Sequence, residues 1–214
     1  MDAEITRLAE KAWEELSGWL GKTTLANNVV MAINALHEQG KGSNVEAIAA
    51  DVSMDGYHYT RAQLAAMNDP VTAIHRRGAA FTFDADGFCK LVERLHQPVS
   101  KGTIIYAPSF EHAIMDPVED SIAILPTTKI VVFEGNYVCL DREPWRSAAQ
   151  LMTELWFVEV DREVARKRLV KRHVASGICQ DEQAARERIR TTDFLNADDI
   201  LENRLPVKER VKCC

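Results

Sequence analysis

Short apolar runs separated by helical stretches place the strongest limit on the fold of this chain. The runs are "NVEAIAADV" (44–52), "GTIIYAP" (102–108), "SIAIL" (121–125), "KIVVFEG" (129–135) and "ELWFVEV" (154–160), each bounded by turn residues. Their length and bounding turns predict strands. Helices are predicted from Thr23 to about Gln39, stopped by Gly40 and Gly42, and from Arg162 to about Ala175. Phe88, Leu91, Val92 and Leu95 mark an amphipathic helix capped by Asp84 or Asp86, and "NDP" (68–70) is an N-cap followed by a first-turn proline. Ile5, Leu8, Ala9, Ala12, Trp13 and Leu16 recur at helical spacing over residues 4–16. A last helical stretch covers roughly Gln180 to Arg204, with a break near Thr192. Strands alternating with helices predict an α/β fold with a mainly parallel sheet. No repeat or low-complexity linker interrupts residues 1–214, which read as one domain.

Charge narrows the range of partners. The net charge of −6 argues against nonspecific binding to nucleic acid or to an anionic membrane. Asp161 to Arg190 nevertheless holds nine Lys/Arg against five Asp/Glu, a local +4 that leaves −10 elsewhere. Such a segment suits a small anionic ligand, or simply forms a solvated helix face. Five cysteines without metal-ligand spacing suggest free thiols in a reducing compartment. The acidic N-terminus has no signal-peptide character, and no apolar run approaches the ~20 residues needed to span a bilayer.

Four stretches carry chemistry. Gly21-Lys22-Thr23-Thr24 opens a helix, as the end of a phosphate-binding loop does: backbone N–H groups surround phosphate, a lysine reaches its terminal oxygens, and a hydroxyl binds Mg²⁺. Gly18, three positions earlier, adds backbone freedom. Glu134-Gly135 ends a strand, where a carboxylate faces the metal of a bound nucleotide. Asp55 lies in a glycine-containing turn after a strand, and a carboxylate there could take the proton of an attacking hydroxyl. Arg168 and Arg172, four apart, share a helical face on which guanidinium groups could neutralise a transferring phosphoryl. Each feature also has an ordinary structural reading: a strand-end glutamate, a turn aspartate, a charged surface helix.

Taken in order along the chain, these stretches resemble the P-loop kinases of the uridine kinase, phosphoribulokinase and bacterial-type pantothenate kinase group. The likeness runs from about Gly21 to Arg204, through "MDGYHYTRAQL" (54–64), "RRGAAFTFDADGF" (76–88), "PSFEHAIMDPVED" (108–120), "VVFEGNYVCLDREPW" (131–145), "RLVKRHVASGI" (168–178) and "DFLNADDILENR" (193–204). The resemblance implies a three-layer P-loop fold with a helical lid, the basic segment 161–192. It implies ATP bound at Gly18, Gly21, Lys22, Thr23 and Thr24, with Mg²⁺ at Thr23 and Glu134. It makes Asp55 the base, Glu134 a second acidic group, and Arg168 and Arg172 lid residues on the phosphate. Tyr57, His58, Arg77, His112 and Asn136 become candidates for the acceptor pocket. A cytoplasmic kinase of a small hydroxyl compound is implied, such as a nucleoside, sugar or pantothenate-like metabolite, and a homodimer is compatible with it.

One departure bears on this. Leu16 stands where the family pattern places a glycine, and residues 4–16 read as a helix where it places a strand. The first strand of the sheet is therefore expected to be missing. The alternative that follows is a noncatalytic or weakly active member, kept as a binding or regulatory module. A nucleotide hydrolase without an acceptor would leave "MDGYH" and "RRGAAFTFD" without a purpose.

Overall fold

The computed structural model describes residues 21–41, 45–98 and 102–213. The helix expected at 4–16 and the strand expected to be missing before Gly21 lie outside the described residues, as do Leu16 and Gly18.

Helix α1 (Lys22–Lys41) runs into strand β1 (Ala49–Ser53) and a 3₁₀ turn at Met54–Tyr57. Two short helices follow, α2 (Arg61–Ala65) and α3 (Pro70–His75), then α4 (Ala85–His96). The chain continues through β2 (Ile105–Glu111), β3 (Asp116–Ile124), β4 (Ile130–Glu134), α5 (Trp145–Leu151) and β5 (Trp156–Val160). It closes with α6 (Arg162–Ala175), α7 (Glu182–Arg188), α8 (Phe194–Glu202) and β6 (Glu209–Cys213). Local chemistry sets several helix starts. Thr60 forms a reciprocal capping box with Gln63, Asp69 caps α3 ahead of Pro70, and Asp84 caps α4 through the Gly87 N–H. The break expected near Thr192 is a π-helical turn, Ile189–Asp193, between α7 and α8.

The parallel sheet takes the form of two pairs. β1 lies parallel to β4, from Ala49 opposite Ile130 to Ser53 opposite Glu134. β5 lies parallel to β6, from Trp156 opposite Glu209 to Val160 opposite Cys213. Among the described residues no strand joins β4 to β5. Helix α1 backs both pairs: Leu25, Val29, Val30 and Ile33 pack with Ile48 and Ala49, and against Ile130, Val132, Trp156, Val158 and Val211. The Asn34 side chain fixes the depth of this contact. Its oxygen accepts from the N–H groups of Ile48 and Ala49 at 2.9 Å, and its nitrogen donates to the Ala49 carbonyl at 3.0 Å. The opposite face is the larger core, where Phe88, Val92, Tyr137, Leu140 and Trp145 meet Val131 and Phe133.

Two features differ from the sequence-based expectation. The runs at 102–108 and 121–125 extend into an antiparallel hairpin, β2–β3, with a register shift between Ala107 and Ser109. Strand β6, "ERVKC", is half polar and has no counterpart in the expected strands.

Candidate functional site

The register of β1 and β4 brings the two acidic motifs together. Ser53 is paired with Glu134 at the C-terminal ends of adjacent parallel strands, so Asp55 and Glu134 emerge at one sheet edge. In parallel α/β sheets that edge is where ligands bind. Two glycines make the juxtaposition possible. A Cβ on Gly56 would stand 2.2 Å from the Pro108 carbonyl oxygen, and a Cβ on Gly135 would stand 1.7 Å from the Met54 Cγ. The hairpin thus packs directly on the Asp55 turn, and Met54 on the turn after Glu134. Met54 also accepts the Tyr137 N–H at its sulfur, at 3.2 Å.

The start of α1 reaches the same point. Thr23 donates its hydroxyl proton to Glu134 Oε1 at 3.1 Å, and Lys22 Nζ stands 3.7 Å from Glu134 Oε2. Glu134 is buried, and Oε2 has no hydrogen-bond partner. Gly21 and Thr24 lie exposed at the helix start, where orphan N–H groups and the positive dipole end favour anions. An unsatisfied buried carboxylate oxygen beside a hydroxyl is the hard oxygen donor set that Mg²⁺ takes, with water and phosphate oxygens completing the octahedron. The residues present therefore fit the ion.

Asp55 is half-buried, and its carboxylate makes no hydrogen bond or ion pair with the described residues. Its backbone is held instead: the N–H donates to Ser53 Oγ at 3.2 Å, and the carbonyl faces His58 Nδ1 at 2.8 Å. A carbonyl only accepts, so Nδ1 carries the proton and Nε2 presents a lone pair. The imidazole lies between Phe83, at 4.0 Å between ring centres, and Phe110, at 5.0 Å. Burial lowers the His58 pKa, opposed by the Asp55 charge and carbonyl and reinforced by Arg77 and Lys22.

The remaining candidates divide. Asn136 is exposed beside Gly135, and His112 is exposed near the hairpin tip with its ring against Phe110 at 5.3 Å. Tyr57 is buried against Phe88. Arg77 spends its donors on the hairpin and its approach: Met115 carbonyl at 2.6 Å, Tyr59 carbonyl at 3.0 Å and Asp116 Oδ1 at 2.8 Å. Arg168 and Arg172 are exposed on α6, and Arg168 Nη1 lies 3.3 Å from Cys213 Sγ. The buried His173, its Nε2 2.8 Å from Oδ2 of the half-buried Asp193, ties the end of α6 to the π-helical turn. Met54 and Ser53, which hold the two acidic turns, carry no chemistry that sequence inspection would flag.

No family model matches the chain. The ATP-dependent kinase-like protein notR' of Aspergillus versicolor is 62% identical over 159 residues, covering 74% of this chain and 92% of that protein. This chain belongs to the ATP-dependent P-loop kinase family. A protein of Schizosaccharomyces pombe named as a candidate uridine kinase is 38% identical over 183 residues, covering 86% of this P-loop kinase and 74% of that protein. Two solved structures share the fold. A Silicibacter protein named as a candidate fructose transport system kinase superposes with a TM-score of 0.75 at 28% identity, covering 96% and 98% of the two chains. YFH7 of Saccharomyces cerevisiae, described as a P-loop kinase with a circular permutation, superposes with a TM-score of 0.78 at 23% identity, covering 97% and 98%. No described helix of this P-loop kinase is long and apolar enough to cross a membrane.

Proposed function

We propose that this chain transfers the terminal phosphoryl group of ATP to a hydroxyl of a small metabolite such as a nucleoside, a sugar or a pantothenate-like compound. The observation that carries the reading is the meeting of Lys22, Thr23 and Glu134 at the sheet edge from which Asp55 emerges. Lys22 and the first N–H groups of α1 would hold the phosphate oxygens, as positioning and charge stabilisation dominate phosphoryl transfer. Glu134 Oε2 and the Thr23 hydroxyl would hold Mg²⁺, which when bound neutralises charge on the terminal phosphates. Asp55 would accept the acceptor hydroxyl's proton, its carboxylate having no hydrogen-bond or ion-pair partner among the described residues. His58 would orient that hydroxyl through the Nε2 lone pair. Arg168 and Arg172 would contribute once α6 closes over the phosphates. We assign the enzyme to the cytoplasm on the cysteine usage described above.

The test is ATP-dependent phosphorylation of a panel of nucleosides, sugars and pantothenate, followed by ³¹P NMR. Transfer to one class, lost in Lys22→Ala and Asp55→Asn, supports the reading. Turnover undiminished in Asp55→Asn would remove Asp55 as the base. No ATP binding by the native chain in calorimetry would overturn the assignment altogether.

A further inference from the structure

A cavity of about 600 Å³ lies behind the Asp55 turn, between that turn, α4 and the β2–β3 hairpin. Its walls include Tyr57, Tyr59 and Tyr106, the cations Lys90 and Arg94, and the carboxylate of Glu119. Asp84 and Asp120 also reach it, so both signs of charge face the space. Lys90 and Arg94 stand one turn apart on α4, on a common face. Neither forms an ion pair or a side-chain hydrogen bond with a described residue, and neither does Glu119. The cavity joins the chemical site along the Asp55 turn, at Gly56, Tyr57 and His58. His58 lines it, packs beside the Asp55 carbonyl and feels the charges of Asp55 and Lys22.

Unpaired charges of both signs around aromatic rings select for a particular ligand chemistry. An anion satisfies the two cations and is repelled by the carboxylates, and a cation does the reverse. Hydroxyl groups satisfy both, donating to carboxylates and accepting from ammonium and guanidinium groups. Tyrosine rings meanwhile cover the C–H face of a saturated ring and keep a polar edge in reach. Resting on the kinase reading for its role as the acceptor site, we infer that this cavity binds a polyhydroxylated compound, a sugar or polyol, through Tyr106, Glu119, Lys90 and Arg94. One of its hydroxyls then passes His58 to reach Asp55. A ligand recognised chiefly by a flat heterocycle would leave the Lys90, Arg94 and Glu119 wall unused.

Binding of D-fructose, D-ribose and D-sorbitol to the full chain, measured by saturation-transfer NMR without ATP, tests this separately from catalysis. Uridine and L-serine are the competing probes. The expected result is saturable binding of at least one sugar or polyol, weakened about tenfold by Glu119→Gln and by Tyr106→Ala, the size expected for one lost charge-assisted hydrogen bond or one ring contact. Both positions are exposed, so circular dichroism should show folded variants. Lack of binding by all three sugar probes, binding unchanged in both variants, or preference for uridine or L-serine overturns the inference. Failure of phosphoryl transfer with sugar binding intact would instead count against the kinase reading.

Discussion

Met54 fills the space that a side chain on Gly135 would need, with its Cγ 1.7 Å from where that Cβ would stand. Because Met54 is itself fully buried, it has nowhere to retreat. Gly135→Ala should therefore destabilise the protein by about 1–3 kcal/mol, the range for overpacking a core, and lower Tm by several degrees. Since the same turn carries Glu134, transfer should fall along with stability. A Tm unchanged in thermal denaturation would show that the Asp55 and Glu134 turns are not locked together as described.

Glu134→Gln removes the charge facing Lys22 while keeping the Thr23 hydrogen bond within reach. The expected outcome is a folded protein whose phosphoryl transfer is about 10²-fold slower, a magnitude usual for loss of one preorganised electrostatic group. Titrating Mg²⁺ in the assay should show a raised requirement for the ion. An unaltered Mg²⁺ dependence would exclude Glu134 as its ligand.

Asp55→Asn should slow transfer by about 10²- to 10⁴-fold, the usual contribution of a general base. Its Tm should match that of the parent, because the carboxylate holds no described partner and the backbone contacts to Ser53 and His58 remain. A large loss of Tm would instead make Asp55 a structural residue.

His58 gives a pH dependence of defined sign. Burial is the main cause that lowers its pKa from 6.5, so the folded state favours the neutral ring. Its contribution to stability is complete above the unfolded value and is lost as pH falls from there through the folded pKa. Urea unfolding between pH 7.5 and 5 should show stability declining on acidification, with a shallower decline in His58→Asn. Parallel slopes for the two proteins would contradict the assignment.

Arg77 joins three groups of the hairpin and its approach: the carbonyls of Met115 and Tyr59, and the Asp116 carboxylate. Arg77→Lys cannot reproduce that fork. A loss of about 1–3 kcal/mol in chemical denaturation is expected, from hydrogen-bonding groups left without partners. A variant of parental stability with only a raised KM would make Arg77 an acceptor ligand instead.

What the sequence disclosed depended on the kind of interaction. "KIVVFEG" was legible because an apolar run ending in Glu-Gly needs only its neighbours to be understood, and β4 spans Ile130–Glu134. Helix α6 was legible as the charged helix after the run 154–160, and the structure adds Asp161 as its cap. The pairing of β2 with β3 was not, since their turn through His112–Met115 has no glycine or Asn-Gly signal. Strand β6 was hidden because three of the five residues of "ERVKC" are charged, and only its place beside β5 makes it a strand. Arg77 enters as an acceptor-pocket candidate through the resemblance alone, and its two backbone-carbonyl partners are contacts that no side-chain pattern spells out. Lys90 and Arg94 drew no notice in the sequence, because the cavity they enter is built by the hairpin.

Helix α1 acts as a clasp, beyond the phosphate-holding role proposed for its first turn. Through Leu25, Val29, Val30 and Ile33 it touches both parallel strand pairs, which share no ladder among the described residues. Whatever grips its first turn at Lys22 and Thr23 must therefore also tighten the join between those pairs. Occupancy of the nucleotide end should slow amide exchange along β4 and β5, far from any phosphate oxygen. A ligand held there would serve as mortar between two halves of a wall.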